Sequence, residues 1–256
     1  MNQVVLSSAA RQVADVLREE ILAALEHQAE FFLGSEEDLM SRLGVGRPTL
    51  RQAARVLEQE QMLAVKRGVG GGFFGRRPTS HVVTHTASLF LRSQGATYAD
   101  LMRSQITISV ACAELAAANP DVAERRRAAT WYAERLPEGT DGISGPRFFS
   151  VCAGFHRLLA ELTDNITFRL FVDVLLELAR PVAIDSFHDR STIVQTARNH
   201  ARIGRAVLAG ESDRAGELMR GGLENALTWT RASRPLDERT QPSTSTSVDG
   251  SHGRDT

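Results

Sequence analysis

Three arginines recur at every fourth position in the stretch GVGRPTLRQAARVLEQ, residues 44–59: Arg47, Arg51 and Arg55. On a helix they share one face, and Leu50, Ala53, Ala54 and Leu57 share another. A guanidinium bonds O6 and N7 of guanine bidentately and also grips phosphate. An arginine face left free by an apolar docking face has the chemistry of a DNA-reading helix. Residues 42–77 hold eight basic side chains (Arg42, Arg47, Arg51, Arg55, Lys66, Arg67, Arg76, Arg77) against two acidic ones, Glu58 and Glu60. The whole chain carries a net charge of only −1, so this segment is a distinct basic patch. The plain alternative for arginines spaced by four is a solvated helix face. What precedes and follows the helix argues against it.

A second feature lies just beyond. Lys66 and Arg67 lead into a glycine turn at Gly68–Gly72, which reads as the tip of a hairpin that approaches a minor groove or the phosphate backbone. It is not a nucleotide-binding loop, because no Gly-Lys-Ser/Thr follows and no helix opens after it.

The elements around these residues follow from local pattern. Residues 8–27 read as an amphipathic helix with Val13, Leu17, Ile21, Leu22 and Leu25 on its apolar stripe. Ser35 and Asp38 make a capping-box start for a short helix that ends near Gly44. Pro48 suits the first turn of the arginine helix, which runs to about Gln59. MLAVKRGVGGGFFG then reads as strand, turn, strand. Beyond a linker the pattern is helical throughout, with helices near 82–94, 97–118, 120–136, 146–163, 166–180, 188–209 and 211–231 and a loop at 137–146. The expected class is mainly α. A winged helix-turn-helix with a small two-stranded wing occupies 1–76, a linker 77–81, and an all-helical antiparallel bundle 82–232. Residues 233–256, rich in Ser, Thr, Pro, Asp and Gly, read as a disordered tail whose deletion is expected to leave DNA affinity unchanged.

With 256 residues and 42% apolar content, the chain can bury two modest cores. Lys66 is its single lysine, a bias that points to a GC-rich bacterial genome rather than to function. Its two cysteines, Cys112 and Cys152, suit a reducing cytosol. Neither a signal peptide nor a run of eighteen apolar residues is present, so a cytoplasmic protein with no membrane partner is expected.

The stretch from LREEIL through FFLGSEEDLMSRLGVGRPTLRQAARVLEQEQMLAVKRGVGGGFF resembles the winged helix-turn-helix of GntR-type bacterial regulators over roughly residues 10–75. The helical remainder resembles the FCD ligand-sensing domain of the FadR branch, carried by FHRLLAELTDNITF (155–168) and HARIGRAVLAGESDRAGELM (200–219). The resemblance implies a homodimeric transcription factor, usually a repressor, on a short palindromic operator in double-stranded DNA, with a small-molecule effector. Positions matching the family's DNA contacts are Arg47, Thr49, Arg51, Arg67 and Gly68, with Arg55 continuing the face and Lys66 adding charge at the wing. Two departures stand out. Glu37 replaces an arginine common in the short helix, and Gly46 replaces the Ser or Thr that often opens the recognition helix.

Many FCD domains hold a metal between one aspartate and three histidines. Carried onto this chain, those positions fall on Cys152, His156, His200 and Gly222, and all four lie on apolar helix stripes. An arginine and a glutamate frequent in the same domains are replaced by Gln105 and Ser109. One reading is a metal-free effector pocket lined by Gln105, Ser109, Cys152, His156, His200 and Gly222, roomy because Gly221 and Gly222 interrupt a helix, and suited to a lipid-like or acyl-CoA-type ligand. The other is a zinc site at Cys152, His156 and His200 with one open position. No cofactor is expected under the first reading; zinc is under the second. A metal-dependent enzyme built on the same three residues is a further class, but no acid or base partner lies at a convincing spacing. A helical adaptor whose patch binds RNA or an acidic protein is the last.

Overall fold

The computed structural model describes residues 7–26, 28–229 and Leu236, so the expected tail at 233–256 lies almost wholly outside the described residues. The chain divides into two compact units, one up to Thr86 and one from Ala87 on.

The first unit opens with α1 (Ser8–Ala24), capped by the Ser7 hydroxyl, which accepts from the Ala10 amide. Strand β1 (Glu30–Gly34) follows, then α2 (Glu36–Leu43) and α3 (Arg47–Gln59). Strands β2 (Leu63–Lys66) and β3 (Gly72–Arg76) complete a three-stranded antiparallel sheet of order β1-β3-β2. The two-stranded wing expected from sequence is therefore one strand short. Glu30 pairs with Arg76 and Phe32 with Phe74, more than forty residues along the chain, and no local pattern announces such a partner. Leu17, Ile21, Leu39, Leu50, Ala53, Leu57 and Leu63 are sealed from solvent in one core that joins the three helices to the sheet. Helix α2 starts on the Ser35–Asp38 capping box and stops at Gly44, whose φ of +64° is the left-handed turn that separates α2 from α3.

Helix α4 (Ser80–Ser93) leads to the second unit, which holds α5 (Tyr98–Ala118), α6 (Val122–Arg135), α7 (Gly145–Glu161), α8 (Ile166–Ser186), α9 (Arg190–Ala209) and α10 (Ser212–Trp229). The starts of four are fixed by side-chain caps: Thr97 with Asp100 for α5, Asp121 for α6, Asn165 for α8 and Asp189 for α9. Helix α5 packs against α7, α8, α9 and α10 and forms the middle of the bundle. Its Ala113, Ala116 and Ala117 let these neighbours approach closely. Helix α8 extends six residues past its expected end at 180. Pro181 lacks the N–H that would bond back into the helix, at a cost of roughly 3 kcal/mol. Val182, Ala183, Ile184 and Phe187 beyond it pack on the core and offset that cost.

Candidate nucleic-acid interface and ligand pocket

In α3 the division of faces is complete. Leu50, Ala53, Ala54 and Leu57 are buried, while Arg47, Arg51 and Arg55 are exposed and Thr49 is half-buried. Pro48 lies in the first turn, and Gly46 starts the helix without a side-chain cap. The arginines differ in their partners. Arg51 Nε donates to Glu36 Oε1 at 2.7 Å and Nη2 to Oε2 at 3.3 Å, and Arg47 Nε stands 3.5 Å from the same carboxylate. The Arg51 hydrogen bonds and the charges of both guanidiniums hold the Glu36 carboxyl below its usual range. Arg55 has no ion-pair or hydrogen-bond partner among the described residues. Glu36, at the start of α2, is a residue that the sequence reading missed. It lies fifteen positions from Arg51 and outside the segment in which charge was counted.

The β2–β3 turn carries the second basic group. Lys66 is not free: its ammonium pairs with Glu30 at 2.7 Å and lies 4.0 Å from the centre of the Phe74 ring. Arg67, Gly68 and Val69 are exposed at the tip. The Gly71 amide donates to the Gly68 carbonyl at 2.9 Å, and Gly68 and Gly70 take φ of +93° and +76°. A side chain at Gly71 would strike the Lys66 carbonyl, so the tight tip depends on glycine. Glu37 is exposed on α2.

The second unit holds a partly open cavity of about 980 Å³ between α5, α7, α8, α9 and α10. Its wall is mostly apolar, with Met102, Phe149, Leu176 and Met219 among the lining residues. Gln105, Cys152, His156, His200 and Gly222 all line it. Ser109 does not. It stands behind His156, with its hydroxyl 3.4 Å from Nδ1. Gly222 leaves room for the Asn199 side chain, which bonds the Leu218 carbonyl at 3.1 Å, so part of the space that the glycine opens is already filled. Gly221 faces open space.

Behind the cavity wall lies Tyr132 of α6, which the sequence reading also missed. Its phenol is 2.7 Å from His200 Nδ1 and 3.3 Å from Cys152 Sγ. The Phe155 ring stacks on His200 with centroids 4.7 Å apart, and the His156 and His200 rings meet edge to face at 5.1 Å. Burial keeps the whole group uncharged: it pushes the Cys152 thiol up to about 12 and His156 down to about 4, and it holds His200 well below the usual imidazole range.

This arrangement does not fit the metal centre that the FCD resemblance suggests. Tyr132 and Ser109 engage Cys152 Sγ and the Nδ1 atoms of His200 and His156, which leaves only the two Nε2 atoms as free donors for an ion. The aspartate position carries a neutral thiol, and the third histidine position is Gly222. Among the described residues, no group of three His, Cys, Asp or Glu side chains is placed to hold an ion. The zinc alternative at Cys152, His156 and His200 is therefore not what the geometry builds.

Comparisons with known proteins agree with the two units. The family described as Bacterial regulatory proteins, gntR family, matches residues 9–72, and the FCD domain family matches residues 100–225. The chain is 24% identical over 219 residues to the Putative L-lactate dehydrogenase operon regulatory protein of Escherichia coli (strain K12), covering 82% of this chain and 83% of that protein. The protein of the same name from Shigella flexneri matches to the same extent. The solved structure of Streptococcus agalactiae GntR shares the fold, with a TM-score of 0.64 at 20% identity over 85% of this chain and 98% of that one. With a basic-faced helix and wing in its first unit and a helical bundle around a cavity in its second, the chain belongs to the bacterial regulatory proteins of the gntR family, as a transcriptional regulator with an FCD domain.

Proposed function

We propose that this regulator acts as a cytoplasmic homodimer, in most settings a repressor, that binds a palindromic operator through residues 1–76 and senses a small molecule through residues 82–232. One observation carries the reading. The exposed side of α3 presents Arg47, Arg51 and Arg55 in a row, while Leu50, Ala53, Ala54 and Leu57 are buried on another, with half-buried Thr49 off the arginine row. The exposed turn at Arg67 and Gly68, with Lys66 at its root, supplies the flanking contact to phosphate or minor groove. Two recognition helices related by a dimer axis would then face successive major grooves. The relatives named for regulating an operon support the regulatory reading. The second unit fits the FadR branch, with a lipid-like or acyl-CoA-type effector in its largely apolar cavity. The effector controls DNA affinity by binding one of two dimer geometries more tightly than the other. No catalytic role, cofactor or metal is assigned.

The test is a footprint on a duplex selected from a random pool. Replacing both Arg47 and Arg51 by alanine is expected to abolish the specific footprint while the fold, followed by circular dichroism, persists. A sharp footprint retained by the double variant overturns the assignment of α3.

A further inference from the structure

Three neutral polar groups on the cavity wall, those of Gln105, His156 and His200, are deeply buried and, among the described residues, unpaired on the side that faces the cavity. Gln105 is 7% exposed, lines the cavity, and makes no hydrogen bond to any described residue. His156 and His200 are 6% and 5% exposed. Each is held from behind through Nδ1, by Ser109 and Tyr132 respectively, neither of which lines the cavity. That leaves Nε2 of both rings without a partner among the described residues. Among the described residues, the one buried side-chain polar atom both sealed and unpartnered is Nε of Arg125, far from this set in the fold. The amide of Gln105 and the two Nε2 atoms are thus open to the cavity.

We propose that these three groups form a receptor for the oxygen of an uncharged carbonyl, such as an amide, ester or ketone, and that Tyr132 and Ser109 set the histidine tautomers that make it one. The proposal rests on the reading of this cavity as the effector pocket. Hydrogen-bond chemistry gives the direction. A phenol is a far better donor than a thiol, and sulfur is a weak acceptor, so the short 2.7 Å contact is Tyr132 O–H donating to His200 Nδ1. The Cys152 thiol, 3.3 Å away, donates to the phenol oxygen. His200 then carries its proton on Nε2 and donates into the cavity. A Ser109 hydroxyl donating to His156 Nδ1 does the same for the second ring. Stacking on Phe155 fixes the orientation of His200.

The charge of the ligand follows from what surrounds these donors. The cavity-lining arginines, Arg190, Arg198 and Arg202, are all exposed, and Arg190 is already paired with Asp141. Arg157, whose charge acts on His156, is already paired with Asp173 and Glu177, and burial keeps both imidazoles neutral. A carboxylate buried here would lack a counter-charge and lose its hydration, whereas a carbonyl oxygen needs only the donors that are present.

The full chain, labelled with ¹⁵N in its histidine rings and treated with chelator, provides the test. Long-range ¹H–¹⁵N correlations show which ring nitrogen carries the proton, with His156→Gln and His200→Gln assigning the signals. Both rings are expected to carry it on Nε2. Tyr132→Phe should remove the single tautomer of His200 alone, and Ser109→Ala that of His156 alone. Octanamide should then perturb both Nε2 signals and bind at least tenfold more tightly than octanoate. Either ring found with its proton on Nδ1, octanoate binding as tightly as octanamide, octanamide leaving both rings unmoved, or, in a parallel sample prepared without chelator, one zinc bound per chain through these histidines would overturn the proposal. No DNA enters the measurement, so failure of the operator reading and failure of this one are distinguishable.

Discussion

Glu36 gives the arginine face of α3 its electrostatic character. A free row of guanidiniums would bind any phosphate backbone strongly and with little selectivity. Here Arg47 and Arg51 are tied to one carboxylate on the neighbouring helix, which fixes where their forks point and reduces the net positive charge of the surface. Replacing Glu36 by Gln is expected to tighten binding to random duplex and to narrow the ratio between selected and random sites, with a steeper dependence on salt. Fluorescence anisotropy at two salt concentrations checks this, and an unchanged ratio removes the role assigned to Glu36. Glu37 is different: it has no ion-pair partner among the described residues and stands exposed on the same helix. Glu37→Arg is therefore expected to strengthen duplex binding and alter operator preference. If neither affinity nor preference changes, α2 does not reach the DNA flank. The arginines themselves were legible in the sequence because their period is that of a helix. Their partner was not, because helix-to-helix ion pairs follow no short-range pattern.

At the scale of elements, local signals fixed starts and stops well and partners poorly. The capping box expected at Ser35–Asp38 is formed, since a cap involves residues only three apart, and Thr97 with Asp100 makes a second one that the sequence reading missed. Strand β1 went unrecognised because its ladder partner β3 lies beyond two helices and another strand. The end of α8 was misplaced because proline usually stops a helix, and here burial of the following apolar turn prevails. The same helix supplies a prediction. Asn165 accepts from the amides of Thr167 and Phe168, which have no helical acceptor. Asn165→Ala is expected to destabilise the second unit by about 1 kcal/mol. Urea unfolding followed by signals from that unit would read it, and an unchanged midpoint would show that α8 does not depend on its cap.

For the molecule as a whole, the two units carry different electrostatic liabilities. The first concentrates charge on its surface; the second buries neutral imidazoles. The ordinary pKa of the unfolded His156 side chain is near 6.5, and in the folded unit it is lowered to about 4 by desolvation and by the charge of Arg157. Above pH 6.5 neither state binds this proton, and no stability is lost. As the pH falls from 6.5 towards 4, the unfolded chain takes up the proton and the folded one does not, so stability declines. The expected loss through His156 is about 3 kcal/mol, and His200, shifted in the same direction, adds to it. Thermal melting of the second unit from pH 7.5 to 4.5 tests this. His156→Gln should flatten the profile, and an equally steep decline in that variant would place the acid sensitivity elsewhere.

The sequence by itself determined the class of each unit, the arginine helix and its two faces, the glycine turn of the wing, and the capping box that starts α2. All of these rest on interactions within a few residues, where period and residue type are enough. It also placed Cys152, His156, His200 and Gly222 on inward helix stripes, and the structure brings these four and Gln105 to one cavity. Only the tertiary structure decided what those residues can do. Tyr132 meets Cys152 from twenty positions away and His200 from sixty-eight. Ser109 reaches His156 across forty-seven. A hydrogen bond between helices depends on how the bundle packs, and no spacing along the chain reports it. Residues that the family pattern would read as metal ligands become, once Tyr132 and Ser109 are behind them, a neutral set of hydrogen-bond donors.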